Sequence, residues 1–409
     1  MRLPTVEDIE KRIPRPETFT SQSRGTRLTT RVGTALGIAF LICFLTGLWS
    51  HFQYDPPSWL PIGPDPTQLY RITQGTHVIS GTAAVPLLLV KLWSVFPRLF
   101  ARPHDTTKRG LLLESLERAS IGALVGSSVF MLASGLLNIV QWYPWDFSFR
   151  RTHEAVAWIA IGSLLVHIAV KLPVIRRAFA APIDEPGDSD EAIARASDTT
   201  ASDTPLEDQP DSAGRRAVLV GTFASAGLAV LLTAGQTVPF LRKVSVFAVR
   251  DGDGPQDLPI NRTARSAGAT ASALDPAFVL EVVGADGTVI SLDREQLKAM
   301  PQQTHRLPIA CVEGWSRNAT WTGVPVRDII ALTGADPRSD VKVRSMQTRG
   351  AFATSELPAV FVEDDRTMLA LELNGQALSL DHGYPCRIIA PNRPGVLQTK
   401  WVRRLEVRA

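Results

Sequence analysis

The sequence predicts a multidomain protein, an all-α transmembrane helical bundle followed by a soluble α+β domain. Three observations carry that prediction. Long apolar runs crowd the first 240 residues and are absent from 275–409, so a mean hydropathy of +0.06 averages a greasy part with a polar one. Five stretches approach or reach the 18 or so apolar residues of a spanning helix, at 32–50, 73–95, 119–140, 155–174 and 217–238. From about Asp275 the pattern changes to short β-branched runs separated by turn residues. Composition excludes other classes. Three cysteines in 409 residues cannot build a disulfide scaffold. A formal net charge of +3, with no basic stripe interleaved by aromatics, points to no nucleic-acid partner.

In chain order, 1–31 reads as a cytoplasmic tail, 32–178 as a four-helix membrane bundle, 179–214 as a linker, 215–238 as a fifth spanning helix, 239–274 as an arm and 275–409 as the soluble domain. Trp49, Trp93, Trp142, Tyr143, Trp145 and Trp158 frame the apolar runs where amphipathic rings prefer to lie. Lys and Arg cluster before the first run, between the second and third, and between the fourth and fifth. The 52–70 loop has neither. By the positive-inside rule the N-terminus is cytoplasmic, and five spans put the C-terminal domain outside. The fifth run is rich in Ala, Gly, Ser and Thr, and without it the orientation inverts.

The stretch 180–214 is rich in Pro, Ser and Asp, with almost no large apolar side chain to offset the entropy of ordering, so it reads as a disordered linker. Arg215 and Arg216 follow it, directly before a mild apolar run. The pair resembles a twin-arginine export signal and reads equally as two positive-inside arginines.

Ionisable residues inside spanning segments point to function. His51 ends the first helix, His77 lies early in the second, and His153 and His167 both lie on the fourth. Fourteen residues separate the last two, close to four turns, which places both on one face about 21 Å apart along the axis. Neutral imidazole is a common axial ligand of haem iron. Judged by depth, His77 with His153 is the best pair, giving one outer haem; a second haem at His167, or a His77–His167 pair, stays open. The arrangement resembles a cytochrome b-like four-helix electron carrier. Helix-end histidines bound to water or headgroups are the bland alternative.

In the soluble part, 278–283 and 288–292 read as strands joined by a turn, and Asp293 as the N-cap of a short helix stopped by Pro301. Strands at 305–311, 341–346, 369–373, 387–390 and 402–407, with a helix at 325–332, complete a strand-rich α+β unit. The stretches IACVEGWSRNATWTGVPVRDII and LNGQALSLDHGYPCRIIAPNRPGVLQTKWVRRLEV closely resemble the molybdopterin-binding domain of the sulfite oxidase superfamily. The resemblance covers about 275–409 and implies a sulfite-oxidase-like molybdopterin domain. The upstream PINRTARSAGATASALDPAF resembles the family's leading arm.

That resemblance implies roles for individual residues. Cys311 matches the thiolate that ligates molybdenum, where a soft sulfur donor suits a metal already bound by dithiolene sulfurs. His382 and Arg387 match a pattern that holds the pterin and its phosphate, the arginine by parallel hydrogen bonds and the histidine as a donor. Lys400 matches a phosphate- or pterin-contacting lysine, with Gln398 and Thr399 amides nearby. Ser345 and Asn261 fall near a hydroxyl and an amide contact. Arg317, six residues after Cys311, either draws an anion to the metal or is a solvated loop charge. Cys43 and Cys386 read as small hydrophobes. The expected cofactors are molybdenum-molybdopterin and one or two b-type haems. The expected partners are the lipid bilayer, a quinone pool or another electron carrier, and a small oxo-transfer substrate. The layout implies a bacterial membrane oxidoreductase with its C-terminal domain outside. Because the domain resembles short members without the second domain of the sulfite oxidisers, reduction is favoured. Sulfite-type oxidation and an inactive binding module are the alternatives.

Overall fold

The computed structural model of the protein describes residues 25–96, 107–180, 182–183, 212–248 and 254–408. The chain forms two compact units, Met1–Phe44 with Ile79–Leu231, and Leu45–Val78 with Leu232–Ala409. Five long helices are present: α1 Thr26–Tyr54, α2 Leu69–Val95, α3 Lys108–Ile139, α4 Phe149–Phe179 and α5 Ser212–Thr233. All five contain segments long and apolar enough to cross a membrane. The first four outrun their apolar cores, α1 reaching 29 residues and α4 31, where about 20 suffice. Continuing the helix satisfies backbone groups that a break within lipid would leave unpaired.

In the first unit, Leu28, Val32 and Leu36 recur every four residues along α1 and pack with Ala84, Leu87 and Leu88 of α2 and Ala226 of α5. The opposite faces stay apolar yet exposed, with Ile38, Leu89, Leu165 and Val220 each more than half accessible, as lipid-facing surfaces require. The linker expectation falls largely on 184–211, outside the described residues. Of the arginine pair, Arg215 is buried and its Nε donates to Ile183 O at 3.2 Å.

In the second unit, two five-stranded sheets build the α+β domain. The strands are β1 Val279–Val283, β2 Val289–Asp293, β3 Gln303–Ala310, β4 Ser316–Pro325, β5 Val341–Ser345, β6 Thr354–Leu357, β7 Met368–Leu373, β8 Gln376–Ala377, β9 Arg387–Ile389 and β10 Val402–Val407. One sheet has the order β2-β1-β10-β5-β6, with β1 and β10 parallel. The other runs β3-β4-β7-β8, with β9 also paired to β7. Short helices α6 Ala264–Ala267 and α7 Thr270–Ala273 belong to the arm, and α8 Arg294–Ala299, α9 Val326–Ala331 and α10 Ala359–Val362 link the strands.

Alternation along β7 explains how the second sheet is buried on both faces. Leu369 and Leu371 join the core that includes β1, β10 and β5, while Met368 and Ala370 join a second core with Trp315, Trp321 and Leu258. The expected N-cap is present: Asp293 accepts from Gln296 N at 2.8 Å and the Gln296 side chain accepts from Asp293 N at 2.9 Å, a reciprocal capping box. Cys386 sits fully buried in the first core, in keeping with its reading as a small hydrophobe. Cys43 is half-buried, its sulfur 3.1 Å from Ser80 Oγ.

The longest strand was not anticipated. β4, ten residues, occupies SRNATWTGVP, where polar and glycine residues mask the β signal. Pairing with β3 and β7 supplies what propensity lacks, and a register shift at Thr322/Gly323 accompanies a change of core, Trp321 facing one and Val324 the other. Asp293→Ala removes a cap worth about 1 kcal/mol, whereas Leu280→Ala opens a cavity worth about 2–5 kcal/mol. The second variant should therefore show clearly the larger fall in thermal midpoint, read on the detergent-purified full chain.

Candidate cofactor sites

Strand β3 ends at Ala310, and a tight turn brings the chain back into β4. Within it Gly314 N donates to Cys311 O and Cys311 N donates to Trp315 O, each at 2.9 Å. The turn holds the Cys311 side chain, 1% exposed, against a narrow, partly open pocket. Asn261, Trp315, His382, Arg387 and Lys400 line the same pocket. Five sequence-predicted residues thus converge from the arm, the β3–β4 turn, the turn before β9, β9 itself and the turn before β10. Cys311 is the only thiol among the lining residues, so a metal held there needs further donors from its own cofactor.

The electrostatics ask for an anion. Arg387 is 3% exposed; its Nη1 donates to His382 O at 3.0 Å and its Nη2 to Gln398 O at 3.1 Å, while its buried Nε has no partner. Burial lowers the Arg387 pKa to about 9. An unpaired buried donor on a desolvated cation is costly unless a ligand completes it. Lys400 is brought down to about 7 by burial first and by Arg387 next. Its ammonium donates to Asn261 Oδ1 at 3.1 Å, Arg262 O at 2.6 Å and Asp381 O at 2.9 Å. Those three bonds commit its three donors, so Lys400 ties down the arm and supplies charge, leaving the directed grip to Arg387. Burial, followed by Glu313, raises the Cys311 thiol well above its ordinary pKa, so metal binding there must displace a proton. A buried soft donor beside a desolvated arginine whose Nε has no partner among the described residues fits a phosphate-bearing dithiolene cofactor.

His382 is 2% exposed and lies 2.7 Å, through Nε2, from Pro255 O. A carbonyl only accepts, so Nε2 carries the proton, and burial lowers the ring's pKa to about 4. The neutral ring therefore presents an acceptor at Nδ1 rather than the donor the sequence suggested. Ser345 and Thr399 are not cavity-lining residues. Ser345 Oγ donates to Lys400 O at 2.7 Å, and Thr399 Oγ1 lies 2.6 Å from Ser355 Oγ; both brace the Lys400 turn from behind. Arg317 is neither a solvated loop charge nor a lining residue. It is 7% exposed on β4, with Nη1 donating to Gln236 O at 3.0 Å and Ser316 O at 2.9 Å. Sequence reasoning missed Arg393, 6% exposed, with its Nη2 on Glu356 O and its Nε unpartnered, although the NRPG turn marked its place.

The histidines have a local signature of their own. His77 belongs to the second unit, where its Nδ1 lies 3.2 Å from Thr46 Oγ1. His153 belongs to the first, where its Nδ1 lies 2.9 Å from Ser134 Oγ. In both cases the next residue is a glycine beside the ring: a Cβ at Gly47 would lie 3.2 Å from His77 Cε1, and one at Gly135 would lie 3.8 Å from His153 Cε1. A hydroxyl fixing Nδ1 orients Nε2 as the atom an iron would take, and the glycine keeps the space beside it open. The Thr-Gly and Ser-Gly dipeptides were legible but unread. His167 lies half-buried on α4, fourteen residues beyond His153 on one uninterrupted helix.

Two outcomes follow. Arg387→Met should lower retention of the phosphate-bearing cofactor at least tenfold, since each charge-assisted hydrogen bond is worth about 1.5–3 kcal/mol; molybdenum per chain after gel filtration reads it. In the cofactor-free protein, the unfolded chain binds more protons than the folded one between about pH 4 and 6.5 at His382 and between about pH 7 and 10.5 at Lys400. Stability should therefore rise with pH across both windows. Phosphate binding, which needs charged Lys400, should weaken above about pH 7. Thermal midpoints with and without inorganic phosphate, from pH 5 to 9, check both signs.

Residues 267–409 match the oxidoreductase molybdopterin binding domain, and residues 34–176 match prokaryotic cytochrome b561. Among curated proteins, the chain is 29% identical over 128 residues to an uncharacterized oxidoreductase, YuiH, of Bacillus subtilis, covering 31% of this chain and 63% of that one. It is 28% identical over 145 residues to the protein-methionine-sulfoxide reductase catalytic subunit MsrP of Gluconobacter oxydans, covering 32% and 46%. It is 27% identical over 164 residues to mitochondrial sulfite oxidase of Mus musculus, covering 33% and 30%. In each case the match spans less than two thirds of the relative. The chain thus joins a prokaryotic cytochrome b561 domain to an oxidoreductase molybdopterin-binding domain of the sulfite oxidase type, and together these imply molybdenum-molybdopterin and a b-type haem.

Proposed function

We propose that the protein is a membrane-bound molybdenum oxidoreductase that removes an oxygen atom from a small extracytoplasmic acceptor, a sulfoxide by class, with electrons delivered through its b-type haem domain from a quinone pool or another carrier. The observation that carries this reading is the convergence of Cys311, Arg387, Lys400, His382 and Asn261 on one pocket, where Arg387 Nε has no partner among the described residues. The bound cofactor supplies the oxo-transfer chemistry. The chain does the rest: Cys311 gives a thiolate to the metal, Arg387 grips the phosphate, and Lys400 and Asn261 hold the arm across the site. His382 offers a neutral ring, and Arg317 positions the β3–β4 turn from behind. His77 and His153 are assigned as haem ligands, with His167 held for a second haem. The positive-inside pattern supports a cytoplasmic N-terminus and an external molybdopterin domain.

Likeness to a sulfoxide reductase subunit supports the reductive direction, and likeness to sulfite oxidase favours sulfite oxidation as the second reading. One experiment separates them. The purified full chain should contain molybdenum and a pyridine-haem signal. Methionine sulfoxide should oxidise its dithionite-reduced haem, and sulfite should not reduce the oxidised haem. The reverse pattern would install the second reading, and absence of both metals would sink the redox assignment. Cys311→Ser should leave the haem spectrum intact and abolish turnover. Replacing Arg215 and Arg216 together by lysine keeps their charge; protease accessibility on intact cells should show the domain stranded inside.

A further inference from the structure

The Cys311 turn is also held by residues that do not line the pocket and that the chemistry above does not use. Val312 O, the carbonyl next to Cys311, accepts a hydrogen bond from Gln74 Nε2 at 3.1 Å. Gly314 O accepts from the Thr237 hydroxyl. Ser316 Oγ donates to Thr237 O at 3.3 Å and accepts from Arg71 Nε at 3.1 Å. Arg71 also reaches Asn318 Oδ1 at 3.0 Å. Gln74 is 5% exposed and Thr237 8%, so these bonds are shielded from water. All of the residues lie within the second unit.

Glycines make room for two close approaches here, α2 to Thr237 and the Cys311 turn to α2. A Cβ on Gly75 of α2 would collide with the Thr237 methyl, and one on Gly314, itself at φ +92°, would lie 2.7 Å from Val78 Cγ2. Helix and turn are shaped to each other. Arg71, Gln74 and His77 lie three residues apart along α2, and so form a row on neighbouring turns.

We propose that Gln74 is a positioning residue that keys the Cys311 turn to the stretch of α2 carrying His77, holding the metal-ligand cysteine and the haem-side histidine at one fixed separation. The inference rests on the roles given above to Cys311 and His77. Electron exchange between two centres falls steeply with distance. A backbone carbonyl adjoining one ligand, bonded to a side chain three residues from the other, removes the slack at its most sensitive point. Burial alone would have been satisfied by any donor in this place; Gly314, where a Cβ would meet Val78 of α2, belongs to a contact set by distance.

The test uses the full chain in detergent with Gln74→Leu, which keeps shape and loses the donor, and Thr237→Val, which does the same at Gly314 O. Molybdenum and haem per chain should match the unaltered protein. The Mo(V) paramagnetic resonance spectrum should shift, because the Cys311 sulfur is no longer held. Oxidation of pre-reduced haem by methionine sulfoxide should slow at least tenfold, with its dependence on methionine sulfoxide concentration unchanged. Unaltered spectra and rates in both variants at full occupancy would overturn the proposal. If the unaltered protein lacked haem or molybdenum, the functional reading would fall. The contact would still be read by iodoacetamide labelling of Cys311, resolved by peptide against Cys386. Faster labelling of Cys311 in Gln74→Leu supports the clamp, and equal rates reject it.

Discussion

Burial of two cations beside a protonated thiol is the constraint around which the soluble domain is organised. Arg387 and Lys400 are desolvated beside a thiol that burial keeps protonated, and among the described residues none completes Arg387 Nε. Taking charge out of water is among the costliest things a fold can do. Here the cost is partly offset within the chain, by carbonyls of His382, Gln398, Arg262 and Asp381 and by the ring faces of Trp321 and Trp401. The remainder falls to a ligand, so the domain is built to be finished by an anionic cofactor.

The sheets exist to hold that arrangement rigid. The second sheet is buried on both faces, so β7, β9 and the β3–β4 turn cannot shift independently. The first sheet delivers Lys400 through the turn entering β10, braced by Ser345 and Thr399. The site is thereby assembled from segments more than a hundred residues apart, and Asn261 is bonded to Lys400 across 139 positions. No local stretch contains it.

Several features were legible without coordinates because they depend on local chemistry. The five apolar runs, the Asp293 cap and Cys311 in CVEGW are of that kind. β4 was not, since the polar, glycine and proline residues of SRNATWTGVP interrupt its Thr, Trp and Val signal, and pairing between β3 and β7 completes the strand. Arg317 resisted reading for the same reason: lying six residues from Cys311 says nothing about which face of a strand an arginine takes. His382 shows a subtler limit. Its presence at the site was readable, whereas its donor was already spent on Pro255, a fact set by the arm.

By itself, the sequence determined that this protein has an apolar helical part and a cofactor-type α+β domain. Hydropathy and turn chemistry are properties of neighbouring residues. It also singled out Cys311 as the thiol in the matched motif, while Cys43 stands in an apolar run and Cys386 just before a core strand. Only the tertiary structure decided which polar groups remain to bind something. Arg387 keeps a donor and Lys400 does not, Ser345 and Thr399 stand behind the wall, and Gln74 of a membrane-type helix reaches the carbonyl beside Cys311. Those outcomes depend on which distant acceptors burial brings within about 3 Å, and only folding sets that distance.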